Sequence, residues 1–457
     1  MEAKALSEQL YGRLALAREV GESPEKLEQL PGVRAYPAIS QVGRRWVCRR
    51  CGNEDQKQFQ ANFCNCHRSP CVYCLACAQF GIIRACDTLY TLRAPLTHSW
   101  QREASYLTWE GQRSTEQEEA SREVVASYLK QQDHLIWAVT GAGKTEMIFP
   151  VIDEAMKQGQ RVAIATPRLD VCNELYPRFQ AAFQGVEIAL LHSQSDQPYA
   201  CCPLTIVSTH QLVRFEQAFS LVIIDEVDAF PFHNDPMLHS VAKRAVKRPG
   251  TLVLLTATPD PSLKRQSQRH TLATSLLPAR YHRHPLPLPT HQLALGWATA
   301  IQKGQCPRAL TKIITRWLKE PCRFLIFMPN IALMRALEEI LHRQFPNVPL
   351  ASVSAKDDER LSKVEKMRQG EYAFLLTTTI LERGVTFEGI NVVVLGSEQA
   401  VFTTSALVQI SGRVGRKPNH PTGEVIFLHE GKTKASIGAI KQIQRMNQLA
   451  KMRQLLD

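Results

Sequence analysis

The sequence predicts an α/β protein in which two tandem parallel-sheet lobes follow a small cysteine-rich module. Three observations carry that prediction. Short apolar runs without polar alternation recur between longer helical patterns on both sides of a proline-rich segment, the pattern of strands buried on both faces. Eight of the thirteen cysteines fall between Trp46 and Cys86. Of the 457 residues, 44% are hydrophobic, enough to pack cores in two or three domains.

The first twenty residues mix acids and bases (Glu2, Lys4, Glu8, Arg13, Arg18, Glu19) with no apolar stretch, unlike a signal peptide. No run approaches membrane-spanning length. A soluble, cytoplasmic protein is expected, and in that reducing compartment the cysteines read as metal ligands and buried thiols rather than disulfides. The net charge of +12 is uneven: residues 291–457 hold 23 Lys and Arg against 14 Asp and Glu, whereas residues 111–290 hold 18 of each. A basic C-terminal third suits a polyanionic partner, although a solvated surface with surplus lysine would look alike.

Residues 1–45 form a partly helical N-terminal extension, and residues 46–110 hold the cysteine module and a connector. The first lobe spans 111–285, with strands expected at His134–Val139, Arg161–Ala165, Leu204–Ser208, Leu221–Ile224 and Leu252–Leu255. Pro278 to Pro289 has too many fixed dihedrals and missing donors for a helix or a central strand, so it is the expected linker. The second lobe spans 286–435, with strands expected at Phe324–Phe327, Ala373–Thr377, Asn391–Leu395 and Glu424–Leu428. In residues 436–457, Ile440, Ile443, Met446, Leu449 and Met452 recur at helical spacing, predicting an amphipathic helix packed on the second lobe.

The first strand runs into Ala138-Val-Thr-Gly-Ala-Gly-Lys-Thr145 and then into a helical pattern. This is a phosphate-binding loop. Gly141 and Gly143 let the backbone close on phosphate, the helix N-terminus adds donors and dipole, and Val139, Thr140 and Ala142 are expected among the ATP-binding residues. Lys144 reaches the β- and γ-phosphates, and the Thr145 hydroxyl takes magnesium. Ala138 replaces the usual first glycine. Leu221-Val-Ile-Ile leads into Asp225-Glu-Val-Asp228, where Asp225 is expected to hold magnesium and Glu226 to orient the attacking water. Gln117 lies where an adenine reader would sit. Pro167, Arg168, Thr209 and His210 follow strand ends in the first lobe, and Thr378 does so in the second. Such edges suit the phosphates of a nucleic acid strand. Gln409-Ile-Ser-Gly-Arg413-Val-Gly-Arg416 presents arginines in the manner of an arginine finger, with Arg416 on the γ-phosphate, Arg413 assisting and Gln409 near the water. ATP and Mg2+ are therefore the expected ligands.

With these motifs in order, the chain resembles superfamily 2 helicases and implies two RecA-like lobes. The phrases Trp137–Met147, Pro167–Leu175, His210–Phe215 and Ile224–Pro231, together with Ile440–Asn447, resemble the ComFA family of competence proteins. That resemblance implies an ATPase at the cytoplasmic side of a DNA-uptake channel, peripheral to the cell membrane, that drives or assists import of single-stranded DNA during transformation. It also implies ComEC, ComFC and DprA as partners. A primosomal-restart-type helicase is the nearest rival, but its zinc module is expected inside the second lobe. An adaptor with a weak ATPase is a rival from another class, and intact Lys144, Asp225, Glu226 and Arg416 speak against it.

Cys48-Arg-Arg-Cys51 and Cys74-Leu-Ala-Cys77 are two knuckles with close to zinc-ribbon spacing, and they resemble the four-cysteine zinc motif of the ComFA family. Zn2+ on these four is the first expectation. Cys64, Cys66, Cys71 and Cys86, with His67 beside them, leave alternatives: Cys71 replacing one knuckle ligand, two zinc sites, buried free thiols, or an iron–sulfur cluster.

Overall fold

The computed structural model describes residues 2–62, 64–66, 71–100, 104–195, 199–320 and 322–457; His67 lies outside them. The chain divides into two compact units, one of Met1–Trp137 and Thr145–Ser275, the other of Ala138–Lys144 and Leu276–Asp457.

In the first unit, an antiparallel sheet orders the strands Ala15–Leu16, Thr88–Leu92 and Val33–Pro37. Between the second and third of these in sequence lie two antiparallel pairs, Ile39–Val42 with Arg45–Cys48 and Phe59–Asn62 with Cys71–Cys74. The cysteine segment reads from sequence as a module apart. In the structure, Cys48, Cys51, Val72, Cys74, Cys77 and Ile83 share one apolar cluster with Leu212, Val213, Phe215 and Val241 of the first lobe. A short segment with few apolar side chains thus borrows core from its neighbour.

The first lobe's seven-stranded sheet runs Ile188–Leu191, Leu204–Ser208, Val162–Thr166, Phe219–Ile224, Val246–Thr256, His134–Ala138 and Ala273–Leu277. The five pairings from Ile188–Leu191 through His134–Ala138 are parallel. All residues of Val162–Thr166 and Phe219–Ile224 are buried, as their apolar runs require.

In the second unit, a six-stranded parallel sheet runs Thr290–Leu293, Val425–His429, Ile390–Leu395, Arg323–Phe327, Phe374–Thr377 and Leu350–Val353. The proline-rich segment 278–289 has no regular structure. The last helix, Lys434–Met452, packs on the helix Thr404–Ser411. Its buried stripe is Ser436, Ala439, Ile443, Met446 and Ala450, so Met452 lies outside it at 78% exposure. Ile440 and Leu449 flank that stripe and are half-buried. Among the described residues, no helix is long and apolar enough to cross a membrane.

Candidate ATP site and cysteine sites

The phosphate loop lies between the strand His134–Ala138 and the helix Lys144–Met147. Gly141 and Gly143 have φ values of 80° and 74°, a left-handed conformation that a side chain would strain. The loop closes through Ala142 N–H donating to Val139 O, and the Lys144 ammonium donates to the Ala138 carbonyl at 3.3 Å. Substituting alanine for the usual glycine leaves that carbonyl in place.

Asp225 and Glu226 stand at the end of the strand Phe219–Ile224. Glu226 has φ 59°, an unusual conformation for a residue with a side chain, and its N–H donates to the Asp225 carboxylate at 2.9 Å. Strain of this kind collects where side chains must be aimed. Asp228 is buried and accepts hydrogen bonds from the hydroxyls of Thr256, at 2.7 Å, and Thr258. The Thr256–Asp228 hydrogen bond is a contact across 28 residues.

Gln117 is buried and closes a capping box: Ser114 N–H donates to Gln117 Oε1 at 2.8 Å, and Gln117 N–H donates to Ser114 Oγ. Pro167 and Thr209 are buried. Arg168 precedes the helix Leu169–Ala182 and is half-buried, and His210 is half-buried with its ring 5.7 Å from that of Phe80. Burial lowers the His210 pKa, partly countered by the Asp235 carboxylate.

In the second unit, Gln409 and Arg413 are buried near the end of the helix Thr404–Ser411, and Arg413 Nε donates to the Glu382 carbonyl at 3.1 Å. Arg416 is half-buried and donates to Val385 O at 3.2 Å and Thr386 Oγ1 at 2.9 Å. Thr378, half-buried, precedes the short helix Thr379–Glu382, so the segment carrying it ends on the carbonyl that holds Arg413. Sequence reasoning missed Arg280, hidden in the proline-rich linker. It is 2% exposed and donates to the carbonyls of Thr140 (3.1 Å), Val414 (2.9 Å), Gly412 (3.1 Å) and Gly415. The same unit's phosphate-loop Thr140 and the 412–416 segment are thereby bound to one guanidinium.

Cys48, Cys51, Cys74 and Cys77 are all buried, with their sulfurs within 4.8 Å of one another. Cys48–Cys77 and Cys51–Cys74 are 3.8 and 3.7 Å apart. Four sulfurs about 2.3 Å from a tetrahedral zinc stand about 3.8 Å from each other, so this donor set fits Zn2+ without rearrangement. The Arg50 guanidinium, 1% exposed, donates to Cys77 Sγ at 3.3 Å and to the Cys77, Phe80 and Gly81 carbonyls. Hydrogen bonds from Cys48, Cys51 and Cys74, with the Arg50 charge added, lower the Cys77 thiol pKa, while the same mutual hydrogen bonding raises those of Cys48 and Cys51. A second group, Cys64, Cys66, Cys71 and Cys86, also places its sulfurs within 4.8 Å of one another.

Two parallel-sheet lobes with a phosphate loop, strand-end carboxylates and buried arginines define an ATP-dependent helicase. Profile matches agree: residues 111–261 match the res subunit of type III restriction enzymes, 306–418 the helicase conserved C-terminal domain, and 1–91 the competence protein ComFA N-terminal domain. The chain belongs to the ComFA family. It is 40% identical over 451 residues to competence protein ComFA of Bacillus subtilis, covering 98% of this chain and 96% of the relative. Against competence protein ComFA of Streptococcus pneumoniae it is 38% identical over 440 residues, 96% of this chain and 98% of the relative. Among solved structures, Saccharomyces cerevisiae Dbp5 bound to RNA and ADP BeF3 superposes with a TM-score of 0.53 at 14% identity, over 76% of this chain and 98% of that one, a likeness of fold.

Proposed function

We propose that this protein is a DNA-dependent ATPase that drives or assists import of single-stranded DNA during natural transformation. The observation that supports the reading is Glu226 held left-handed beside Asp225 at a strand end, in a chain of the ComFA family that also carries the Gly141–Thr145 phosphate loop. In this reading Val139 to Thr145 cradle the phosphates and Thr145 and Asp225 hold Mg2+. Glu226 orients water, and Arg416, with Arg413 and Gln409, offsets charge on the γ-phosphate. Gln117 serves the adenine side. Zn2+ on Cys48, Cys51, Cys74 and Cys77 fixes the N-terminal segment against the first lobe.

DNA lies along the strand ends, with Arg168, His210 and Thr378 offering exposed atoms and Pro167 and Thr209 shaping the turns. The positive balance of residues 291–457 favours a polyanion. ComEC, ComFC and DprA are the partners proposed by family, at the cytoplasmic membrane face. The test is ATP hydrolysis by purified protein at low salt. Single-stranded DNA should stimulate it, and Lys144→Ala or Glu226→Gln should lower it by about 100-fold or more. Hydrolysis that ignores DNA would rule the reading out.

A further inference from the structure

We propose that Cys64, Cys66, Cys71 and Cys86 hold a second zinc ion, distinct from that of Cys48, Cys51, Cys74 and Cys77. Three pieces of chain bring the four sulfurs together. The strand Cys71–Cys74 pairs antiparallel with Phe59–Asn62, Asn62 opposite Cys71, so the chain leaving Asn62 carries Cys64 and Cys66 past the end holding Cys71. On the other side, Ala85 N–H donates to Val72 O at 2.8 Å and Cys74 N–H to Ile83 O at 3.4 Å, which sets Cys86 beside Cys71. A turn then fixes residues 84–87, with Arg84 N–H donating to the Asp87 carboxylate at 2.7 Å.

The resulting distances suit a metal. Cys64–Cys86 and Cys71–Cys86 are 3.6 and 3.8 Å, near the edge of about 3.8 Å that a tetrahedral zinc tetrathiolate requires. Cys71 and Cys74 bracket one four-residue strand. Positions three apart on a strand face opposite sides, so this strand sends one ligand to each cluster without the clusters sharing a sulfur. Four soft thiolates in tetrahedral array select zinc over hard divalent cations. Binding displaces the four thiol protons to solvent and leaves the metal's oxidation state unchanged.

The two sites differ in access. Cys48, Cys51, Cys74 and Cys77 are fully buried, whereas Cys64, Cys66 and Cys86 are half-buried. The second zinc should therefore leave first. The proposal stands apart from the ATPase reading, since it concerns only the cysteine segment.

The experiment is metal analysis of the full-length protein purified under reductant without chelator. Two zinc equivalents per chain are expected, falling to one in Cys64→Ser/Cys86→Ser, with the remaining one lost on Cys48→Ser. If the double variant fails to fold, wild-type protein is treated with iodoacetamide before and after brief exposure to a chelator. Cys64, Cys66 and Cys86 should be protected before, and alkylated after, while Cys48 and Cys77 stay protected. One equivalent in the wild type, bound iron in place of the second zinc, a Cys64–Cys86 disulfide in non-reduced peptides, or alkylation of Cys64 and Cys86 before chelation overturns the proposal.

Discussion

The Asp228 carboxylate accepts a hydrogen bond from the Thr256 hydroxyl at 2.7 Å, joining the segment that carries Asp225 and Glu226 to the end of the neighbouring strand Val246–Thr256. Thr258 adds a second hydroxyl to the same carboxylate, and Thr258 N–H donates to Thr256 Oγ1 at 2.9 Å. Asp228→Ala leaves two buried hydroxyls without their acceptor and should cost about 1–3 kcal/mol. Urea unfolding checks it: the midpoint should fall with little change in slope. An unchanged midpoint would mean that the carboxylate does not brace this edge.

Zinc loss should be felt beyond the cysteines, because Cys48 and Cys77 share a cluster with Leu212, Val213 and Phe215 of the first lobe. Cys48→Ser should remove one zinc equivalent. A loss of about 3 kcal/mol would lower the Tm by on the order of 10 °C for a unit of this size. Calorimetry alongside metal analysis reads both; full metal loss with an unaltered Tm would show that the site does not support the lobe.

Arg280 is the largest charge hidden in the linker, and its guanidinium satisfies carbonyls at Thr140, Gly412, Val414 and Gly415 together. Lysine cannot reproduce that planar fork. Both Arg280→Ala and Arg280→Lys should therefore destabilise by about 2–4 kcal/mol, with the ATP concentration for half-maximal hydrolysis raised as the loop loosens. Thermal unfolding and steady-state kinetics test this; a Lys variant with wild-type stability would contradict it.

His134 provides a pH prediction. Burial pushes its pKa down to about 4. Its ring nitrogens meet Ser127 and Ser275, each at 2.8 Å. The Ser275 hydroxyl donates to Glu123, so its oxygen accepts from His134 Nε2–H, and Nδ1 accepts from Ser127. A neutral ring satisfies all three. Because the folded pKa lies below the unfolded one, the stabilisation is full above about pH 6.5 and is lost as pH falls through that value toward 4. Unfolding free energy measured from pH 7 to pH 4 should decline by up to about 3 kcal/mol from this residue. His134→Gln should flatten that part of the curve, and an unaltered slope would refute the assignment.

The sheet centres were legible because buried parallel strands leave long apolar runs: Val162–Thr166, Phe219–Ile224 and Ile390–Leu395 lie where those runs fall. Edge strands were not. Thr290–Leu293 is mostly exposed, and Ile188–Leu191 and Leu350–Val353 are four residues each, too short to stand out from loop sequence. The phosphate loop and the Cys48/Cys51 and Cys74/Cys77 knuckles were readable since their residues are local in sequence. Asp228 with Thr256 and Arg280 with Thr140 were not, because each pair meets only through the fold, and the sequence left the grouping of Cys64, Cys66, Cys71 and Cys86 open among alternatives that their spacing does not separate. Gln117 closes a helix cap that spacing alone did not disclose.

The most direct test of the central claim is release of streptavidin from an end-biotinylated single-stranded DNA, with free biotin as trap. A motor moving on one strand should strip it when ATP is present, not with a non-hydrolysable analogue, and not when Lys144 is replaced by alanine. Bound DNA and measurable ATP hydrolysis without any streptavidin release from either end would contradict the account.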